Sequence, residues 1–464
     1  MVVGGGVVGM SAGMLLARDG HHVTLLERDP APPPTDPGTA WADWERRGVN
    51  QFRLLHFFLA RFRQLLDAEL PEVAAAFDDM GALRLNPLDG IPAEITGGPR
   101  AGDERFEVVT ARRPIAEAAI ARVAQRTEGL DIRRGAAVTT LTVANGADAI
   151  PHVVGVVTED GEAIAADLVV DASGRRSPLP RWLAEHGVTV PENLEDCGFV
   201  YYGRHFRSQD GSVPPAFGGL LHAYDSVSTL TLPADNGTWG VGVIATAHDA
   251  EMRKLKDVDT WSKVVAAYPL VAHWADGEPL GDVDVIAKIE DRDRAFAIDG
   301  QPVVTGVAAV GDAWACTNPS VGRGASIGLM HAVALRDTIG EHGLDDAAAF
   351  AAAWHEATER VVRPYYDETL AFDRHRLAQM DAQIEGRTYE TDDPGWQLGE
   401  ALGAAAAKDA DLLRGSLDIA MILDLGADVM ARPGFVERLL DVADADLEPL
   451  PGPSRAELLA IAGS

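Results

Sequence analysis

Residues 1–29 read MVVGGGVVGMSAGMLLARDGHHVTLLERD. The glycines Gly4, Gly6 and Gly9 form the pattern G-x-G-x-x-G between a short apolar run and a helical repeat of small and apolar residues. A second apolar strand, HVTLLE, follows the helix and ends in Glu27. This order of strand, glycine-rich turn, helix, strand and acid predicts a Rossmann-type unit that binds a dinucleotide.

Each residue type in this unit has a physical task. Gly4 permits a tight turn, Gly6 lets the backbone approach a pyrophosphate, and Gly9 lets the helix pack closely against the strand. The helix N-terminus presents unpaired N–H groups and a positive dipole to phosphates. Glu27 is placed to accept hydrogen bonds from a ribose diol, and its charge would repel a 2′-phosphate, which argues against NADP in this site. The predicted dinucleotide contacts of this unit are Gly4, Gly6, Val8, Gly9, Glu27 and Arg28.

Composition limits the classes of partner. The chain has 464 residues, of which 47% are hydrophobic, and 71 acidic residues outnumber 40 basic ones, giving a formal net charge of −31. Such a charge repels phosphate backbones and anionic lipid heads, so we expect neither nucleic acid nor a membrane as a partner. Cys197 and Cys316 show no metal-ligand or paired spacing and are predicted to be reduced thiols. No signal segment or long apolar run is seen, which predicts a cytoplasmic protein.

Two later stretches repeat the pattern of a buried strand followed by a glycine-containing turn. Residues 167–181 read DLVVDASGRRSPLPR, and residues 303–328 read VVTGVAAVGDAWACTNPSVGRGASIG and run into a predicted helix. A carboxylate at the end of a strand, as Asp312 is, can accept hydrogen bonds from polyol hydroxyls. Gly322 and Gly324 leave backbone N–H groups bare at the start of the helix, whose positive end stabilises negative charge.

The order and spacing of the three motifs resemble those of the flavoprotein monooxygenases of the aromatic-hydroxylase type over roughly the first 340 residues. The resemblance implies that the first motif holds the ADP part of FAD and that Asp312 binds the ribityl chain. It also implies that Arg113 lies beside the pyrophosphate, that Val138 packs against the adenine and that Pro319 borders the reactive face of the flavin. O2 is then the co-substrate, and a flavin C4a-(hydro)peroxide is the oxygen donor. The later FAD contacts implied in this way are Arg113, Val138, Asp312, Gly322, Gly324 and Ala325.

A further stretch, RRGVNQFRLLHFFLARFRQLLDAELPE at residues 46–72, is similar to the R-x-G-V-P-Q-x-R-H-x-H region of the polyether-type epoxidases. Asn50 replaces the proline of that pattern and Leu54 replaces its first histidine. The DASG stretch is also more similar to these and to styrene-type epoxidases than to phenol hydroxylases. The resemblance makes Gln51 and Arg53 candidates for the loop that faces the flavin.

The same stretch also has a purely structural interpretation. Residues 52–66 can be interpreted as an amphipathic helix whose phenylalanines and leucines pack in a core. In that interpretation His56 is a buried histidine with satisfied hydrogen bonds rather than a ligand of the flavin loop.

Two departures from the family pattern bear on the chemistry. The family's middle motif carries an Asp-Gly pair linked to NAD(P)H binding, whereas this chain has Ser173 and Gly174, with Asp171 two places earlier. No second G-x-G-x-x-G follows a strand, so electrons are expected either from NAD(P)H that docks transiently or from a partner flavin reductase. Trp314 and Ala315 stand where the family has a histidine, which favours electrophilic oxygen transfer to an apolar substrate, as in alkene epoxidation.

The predicted fold class is α/β, a Rossmann-like FAD-binding domain with an inserted antiparallel β-sheet substrate domain and a C-terminal helical region. Period-two alternation in GFVYYGRHFR, SVSTLTLP and GTWGVGVIATA predicts the inserted sheet. Pro364 is expected to break the first long helix of the C-terminal region. This region is expected to pack on the core, to cover the substrate mouth or to form a homodimer contact. The predicted segments are FAD-binding 1–75, a substrate-domain excursion 76–99, FAD-binding 100–190, the β-sheet substrate domain 191–290, FAD-binding 291–345 and the helical region 346–464. The polar and aromatic candidates for the substrate pocket are Tyr202, Arg204, His222, Tyr224 and Trp239, each of which can also be ordinary sheet packing.

Three functions stay open from the sequence. The favoured one is an FAD-dependent monooxygenase that epoxidises or hydroxylates an apolar small molecule. The alternatives are a flavin oxidoreductase without oxygen insertion, of the polyprenyl-reductase type, and a flavin-binding protein without turnover. A flavin halogenase is disfavoured because the chain has no Trp-x-Trp-x-Ile-Pro stretch, and we find no metal cluster or Ser-His-Asp set that would supply another mechanism.

Overall fold

The computed structural model describes residues 1–46, 48–49, 51–145, 150–319, 321–443 and 450–464. The strands in chain order are β1 (Val2–Val3), β2 (Val23–Glu27), β3 (Leu83–Leu85), β4 (Val108–Thr110), β5 (Leu130–Arg134), β6 (Val138–Asn145), β7 (Pro151–Thr158), β8 (Ala163–Ala165), β9 (Val169–Asp171), β10 (Glu192–Asp196), β11 (Phe199–Arg207), β12 (Leu221–Ala223), β13 (Val227–Pro233), β14 (Thr238–Thr246), β15 (Glu278–Pro279), β16 (Asp284–Ile286), β17 (Glu290–Arg294), β18 (Ala297–Ile298), β19 (Gln301–Pro302), β20 (Val307–Ala309) and β21 (Ala315–Cys316). The α-helices are α1 (Val7–Arg18), α2 (Pro37–Ala42), α3 (Ala60–Glu69), α4 (Pro71–Asp79), α5 (Ala93–Thr96), α6 (Arg113–Ala124), α7 (Leu179–Ala184), α8 (Val258–Ala266), α9 (Gly324–His342), α10 (Ala347–Val361), α11 (Arg363–Ile384), α12 (Pro394–Ala405), α13 (Ala410–Ala420), α14 (Gly426–Met430), α15 (Phe435–Ala443) and α16 (Arg455–Ala462).

A five-stranded parallel sheet forms the centre of the molecule, with strand order β20-β9-β1-β2-β5. Its central strands are short and mostly apolar because both faces are covered, one by helices and the other by β6, β7 and α7. Helices α1, α6 and α9 bury their apolar residues in the same core as the sheet. This sheet, the separate antiparallel sheets and the C-terminal helices confirm the predicted α/β fold class.

The glycines at the two ends of α1 determine where that helix begins and ends. The backbone of Gly4 has φ +105°, which a side chain would disfavour, and α1 begins directly after Gly6. A Cβ atom on Gly9 would lie 1.9 Å from the carbonyl oxygen of Gly4, so the helix packs on the turn at a distance that only glycine allows. At the other end, Gly20 has φ +89° and closes the helix, as the sequence predicts.

A six-stranded antiparallel sheet, which we call the roof sheet, has the order β12-β13-β14-β11-β15, with β16 also paired to β11. Because successive side chains alternate across a strand, the sheet has two distinct faces. One face packs beneath α8 and α16 in an apolar cluster that includes Trp261 and Leu458. The opposite face, which we call the inner face, meets the parallel-sheet domain, where the Tyr201 hydroxyl donates a hydrogen bond to Asn318 Oδ1 at 2.6 Å.

The C-terminal helices pack on the rest of the molecule. Helix α10 ends at Val361 and α11 begins at Arg363 with Pro364 in its first turn, which confirms the predicted break. Arg414 of α13 forms a salt bridge with Asp103 at 2.7 Å, and Arg105 pairs with Asp418 of α13 at 2.9 Å. Among the described residues, no helix combines the length and the apolar character needed to span a membrane.

Candidate functional site

The first part of the candidate site is the turn between β1 and α1. No side chain caps α1, so the N–H groups of its first turn have no side-chain acceptor. A Cβ atom built on Gly6 would meet no heavy atom of the described residues within 4 Å, so the backbone there faces open space among them. At Gly4, by contrast, a Cβ would lie 2.6 Å from the Ala172 carbonyl oxygen. The turn is therefore tightly packed on one side and open to a ligand on the other, as the motif predicts.

Glu27 and Arg46 belong to a buried group of charges beside this turn, which we call the carboxylate–arginine cluster (Glu27, Asp29, Arg46, Arg113 and Glu117). Arg46 contacts Glu27 at 2.5 Å, Glu117 at 2.6 Å and Asp29 at 3.1 Å. It also donates to the Gly5 carbonyl at 3.0 Å. Glu27 in turn accepts from the N–H groups of Gly5 at 2.8 Å and Asp29 at 2.9 Å.

Electrostatics in this cluster favour the ionised forms. Burial alone would raise the pKa of Glu117, but the charges and hydrogen bonds of Arg46 and Arg113 outweigh it and hold that pKa below its usual value. Burial likewise opposes the charge on Arg46, and Glu117 and Glu27 more than compensate, so that the pKa of Arg46 is raised. Arg46 and Glu117 are thus held in their charged forms and paired beside the glycine-rich turn.

The structure places the other predicted dinucleotide contacts around this cluster. Arg113 opens α6 and bonds Glu117 at 2.7 Å, while Arg28 is exposed, with its guanidinium over Gly48. Val8 packs between helices, because Cβ atoms on Gly311 and Gly328 would lie 3.3 Å and 2.4 Å from its methyl groups. Val138 begins β6 and is half-buried at the edge of the second core. The roles of these residues toward a cofactor stay predictions.

Asp312 lies in the single helical turn that follows β20. Its carboxylate is partly buried and has no hydrogen-bond partner among the described residues. Burial raises its pKa, and the positive charges of Arg175, Arg113 and Arg294 oppose that rise. A carboxylate in this position has its acceptor capacity free for hydroxyl groups of a ligand.

A buried histidine holds this turn in place. Gly311, with φ +59°, donates its N–H to Nδ1 of His331 at 3.1 Å, and Nε2 of His331 lies 3.0 Å from the Thr358 hydroxyl. The His331 ring stacks on Trp354 at 4.4 Å and meets Trp314 edge-on. Burial lowers the pKa of His331 to about 3, so the ring is neutral and accepts the Gly311 hydrogen bond at physiological pH.

The rest of the predicted GDAWACTNPSVGRGAS motif lies between this turn and α9. Asn318 fixes it by donating its backbone N–H to Asp291 at 2.6 Å and its side-chain amide to Asp373 at 3.1 Å. Pro319 is exposed, and its carbonyl accepts from the N–H of Gly322 at 3.0 Å. Gly322 has φ +68°, and Gly324, which begins α9, has open space where a side chain would stand.

Among the residues that the structure describes, no side chain caps the start of helix α9. Gly324 and Ala325 therefore present first-turn N–H groups to the same region as Asp312, which is the second helix N-terminus that the sequence predicts here. Cys316 is buried just before it, and burial raises the pKa of its thiol to about 11. Cys197 is also buried and unpaired, in agreement with the prediction of two free thiols.

The segment before α3 is a loop and not the helix that the structural interpretation predicts. Helix α3 covers only Ala60–Glu69, and residues 51–59 form turns and irregular backbone, so the helix predicted over residues 52–66 is wrong in its first half. Gln51 is half-buried; Arg53 donates to the Trp44 carbonyl at 2.8 Å and lies over the Trp41 ring at 4.9 Å. Asn50 lies outside the described residues.

His56 is half-buried in this loop near Arg113. Burial lowers its pKa to about 3, and the charge of Arg113 adds to the effect. A neutral His56 thus faces the carboxylate–arginine cluster. Whether Gln51, Arg53 and Pro319 face a flavin stays a prediction.

The predicted substrate-pocket residues of the roof sheet need correction, since the structure places Tyr202, Tyr224 and Trp239 in the apolar cluster beneath α8. The Trp239 ring N–H donates to the Trp274 carbonyl at 2.6 Å, and the Tyr224 ring packs on Tyr268 at 4.4 Å. These side chains therefore do not line the space between the roof sheet and the parallel-sheet domain.

Arg204 and His222 also lie on the face of the roof sheet that is opposite the inner face. Arg204 lies on the same face as Tyr202 and donates to the Gly281 carbonyl at 2.8 Å. His222 is buried in β12 beside Tyr224, with ring centroids 6.2 Å apart, and burial lowers its pKa. The inner face instead carries the alternate residues of the central strands, which are Tyr201, Gly203, His205, Gly240, Gly242 and Ile244.

Sequence reasoning missed several residues that the structure brings to this region. Arg46 lies in the stretch at residues 46–72 and Asn318 in the stretch at residues 303–328. The charge of the first and the amide of the second were the signals that could have identified them. His331 lies within the helix after the Gly-Asp turn, and a lone histidine in an apolar helix gives no signal of a tertiary partner. The inner-face residues could not be chosen because both faces of the roof sheet are buried.

A parallel sheet with glycine-rich turns, joined to an antiparallel roof sheet, is the fold of flavin-dependent monooxygenases and halogenases of known structure. The NAD(P)-binding Rossmann-like domain family matches residues 2–64, the segment that contains the first motif.

The individual comparisons agree with this class. PqsL from Pseudomonas aeruginosa, a probable FAD-dependent monooxygenase, is 15% identical with a TM-score of 0.59 over 82% of this chain and 96% of its own. The flavin-dependent brominase Bmp2 is 16% identical with a TM-score of 0.57, covering 98% of this chain and 96% of its own. The flavin-dependent halogenase CmlS is 18% identical with a TM-score of 0.59, covering 95% and 76%. In sequence, Protein Rv3254 of Mycobacterium tuberculosis is 28% identical over 394 residues, 79% of this chain and 78% of its own length.

Proposed function

We propose that the protein is an FAD-dependent monooxygenase that inserts one oxygen atom, by epoxidation or hydroxylation, into an apolar small molecule. The observation that carries the proposal is the Asp312 carboxylate, which lacks a hydrogen-bond partner among the described residues and follows β20 close to the uncapped start of α9. Flavin-dependent proteins of the same fold support it.

The residues present fit a bound FAD. The open backbone at Gly6 suits a pyrophosphate, Asp312 suits the hydroxyls of the ribityl chain, and the N–H groups at Gly324 suit the anionic edge of the flavin ring. When bound, the flavin supplies the activation of molecular oxygen and its transfer to the substrate. The chain's own residues then bind and orient the flavin and the substrate, and they exclude water.

The surroundings of the predicted flavin ring support an apolar substrate. Leu230 of the roof sheet packs against the apolar cluster that contains Trp314 and Ala315, and Ile244 packs in a cluster with Met380 of α11. Such apolar walls exclude water from a reacting centre. Trp314 is buried against His331 and Tyr366, and Ala315 has no polar side chain. Neither residue offers a proton relay, which supports oxygen transfer to an alkene or an unactivated ring over phenol hydroxylation.

The source of electrons is part of the same proposal. Asp171, the acid nearest to the family's missing Asp-Gly pair, accepts hydrogen bonds from Ser173 at 2.6 Å and from Ser177, so it is committed to the turn after β9. This favours a separate flavin reductase over direct docking of NAD(P)H. Anaerobic mixing of the FAD-loaded protein with NADH or NADPH tests the point, since rapid bleaching of the flavin by either nucleotide would contradict it.

The reaction itself is tested with isotopically labelled O2. We expect one labelled oxygen atom in each product molecule when reduced FAD and a panel of apolar alkenes and arenes are supplied. Oxidised product without label would support a flavin oxidoreductase instead. Because solved structures of this fold include halogenases, the incubation is repeated with bromide, and brominated product would overturn oxygen insertion.

Substitution of Asp312 by asparagine is expected to lower the affinity for FAD by about 10- to 100-fold, since a hydrogen bond to a charged group contributes about 1.5–3 kcal/mol. The same change should stabilise the FAD-free protein at neutral pH. The raised pKa of Asp312 means that the folded state loses stability as pH rises from 3.8 through the raised value, and asparagine removes this loss. FAD titration and urea unfolding at pH 4.5 and 7.5 measure both effects, with the exposed Asp89→Asn as the matched control. Unchanged FAD affinity would contradict the assignment.

A further inference from the structure

The inner face of the roof sheet carries three neighbouring glycines, which we call the glycine block (Gly203, Gly240 and Gly242). Strands β11 and β14 pair so that Gly203 lies opposite Gly242 and His205 lies opposite Gly240. The four positions are therefore adjacent on one face of the sheet. Because three of them lack a side chain, the sheet has a depression there, with His205 at its corner.

Leu55, from the loop before α3, fills this depression. A Cβ atom built on Gly203 would lie 2.4 Å from Leu55 Cδ1, and one on Gly240 would lie 2.6 Å from Leu55 Cγ. On Gly242 the distance to Leu55 Cδ2 would be 3.2 Å. The leucine thus occupies the volume that three side chains would take, and it is held by irregular backbone rather than by a helix or strand.

His205 is a buried side chain beside the glycine block, and it also indicates a ligand there. Its side chain is 95% buried (5% exposed), and its ring has no hydrogen-bond partner among the described residues. The ring atom Nε2 lies 3.4 Å from the position of a Cβ on Gly240, so it is directed over the glycine block. Burial, reinforced by the charges of Arg112 and Arg53, lowers the pKa of His205 to about 3. A neutral imidazole with free hydrogen-bonding capacity is therefore presented to the depression.

We propose that the glycine block and His205 form the substrate subsite and that Leu55 fills it until a substrate displaces it. The ligand is a planar, largely apolar ring system with one oxygen that hydrogen-bonds His205. This rests on the proposed function, because the loop that carries Leu55 lies between the roof sheet and the predicted flavin edge. The carbonyl of Phe57 is 3.7 Å from the position of a Cβ on Gly322, which places the loop against the start of α9.

The chemistry of the depression determines this ligand class. A glycine floor accepts a flat ring close to the backbone but leaves no room for a branched aliphatic group beside Leu230 and Leu232. The Trp41 ring lies 4.9 Å from the His205 ring and adds an aromatic edge. The nearby cations Arg53 and Arg112 favour an electron-rich oxygen over an amine at the polar end.

The test measures binding of 2-naphthol and of naphthalene, which lacks the oxygen, to the full-length protein loaded with FAD, by equilibrium dialysis. Leu55→Ala is expected to bind 2-naphthol about tenfold more tightly than the wild type, because no side chain has to be displaced. Leu55→Val should change binding in the same direction but less, and it guards against misfolding of the alanine variant. Leu65→Ala, on α3 and packed in the core around α1 and α6, should leave binding unchanged.

Two further variants are made in the Leu55→Ala background. His205→Phe should remove the roughly five- to tenfold preference for 2-naphthol over naphthalene that one hydrogen bond provides. Gly242→Val should fill the depression and abolish binding of both compounds. Absence of saturable binding, or binding that none of the Leu55 variants changes, overturns the subsite. Incorporation of labelled oxygen is measured separately. If binding responds to the variants as expected but no labelled oxygen is incorporated, only the monooxygenase proposal is refuted. If labelled oxygen is incorporated but binding does not respond to the variants, only the subsite is refuted.

Discussion

Replacement of Arg46 by alanine is expected to lower the free energy of unfolding by about 3–5 kcal/mol, the cost of removing one partner from a buried ion pair. Arg46 is 6% exposed and its contacts with Glu27 and Glu117, which are 3% and 2% exposed, leave no route for water to replace the guanidinium. The variant would leave the buried Glu27 without its cation and Glu117 with Arg113 as its remaining partner. Urea unfolding followed by tryptophan fluorescence measures the loss.

The pH dependence separates this cause from simple loss of packing. In the wild type the pKa of Glu117 is lowered, so its contribution to stability is present above the ordinary value of 4.5 and is lost as pH falls through the lowered value. In the alanine variant only Arg113 remains to oppose burial, so the pKa of the same carboxyl should rise, and protonation at mildly acid pH should remove part of the cost of burying its charge. The stability gap between the two proteins should therefore narrow between pH 7.5 and pH 5.

Arg133→Ala is the matched control for this prediction. Arg133 lies on β5 of the same sheet and pairs with Glu162, but the two side chains are 35% and 46% exposed. Solvent screens such a surface pair, so its removal should change the free energy of unfolding far less than removal of Arg46 does. Equal losses in the two variants would show that the carboxylate–arginine cluster has no special role beneath the glycine-rich turn.

The parts of the fold that the sequence predicts well are those governed by local rules. The turn at Gly4 to Gly9, the end of α1 at Gly20 and the break before Pro364 each depend on backbone conformations that only a few residue types permit. The strands of the roof sheet were also predictable, because alternation is visible within a single strand. The starts of α1 and α9 follow the same local rules, because each helix begins at a glycine-rich turn.

The choice of sheet face shows where local rules end. Alternation tells which residues share a face, so Tyr202 and Arg204 were correctly grouped, but every residue of β14 is buried and neither face is marked by polarity. Which face meets the parallel-sheet domain depends on α8 and α16, and α16 comes more than two hundred residues later in the chain. Arg46 and His331 were missed for a related reason, since their value lies in partners that only the folded chain brings together.

Gly6→Ala and Gly9→Ala are expected to separate cofactor binding from folding at the first motif. A methyl group on Gly6 meets no atom within 4 Å, and its backbone, at φ −83° and ψ −173°, suits alanine. The poorer helix cap and the reduced freedom of the unfolded chain are each worth up to about 1 kcal/mol and have opposite signs, so stability without FAD should hardly change. A methyl group on Gly9 lies 1.9 Å from the Gly4 carbonyl oxygen, and overpacking of this kind costs about 1–3 kcal/mol or more.

FAD affinity completes the comparison. The Gly6 methyl group would stand in the open space assigned to the pyrophosphate, so we expect the dissociation constant of FAD to rise about 10- to 100-fold, which corresponds to about 1.4–2.8 kcal/mol. Gly9→Ala should weaken FAD binding as well, but together with a lower unfolding midpoint of the FAD-free protein, whereas Gly6→Ala weakens binding alone. Quenching of FAD fluorescence on titration with each variant gives the affinity, and urea unfolding gives the stability. Wild-type affinity in Gly6→Ala would mean that the open side of the turn does not face the cofactor, because no other effect of the methyl group could compensate for a clash with a phosphate held against the backbone.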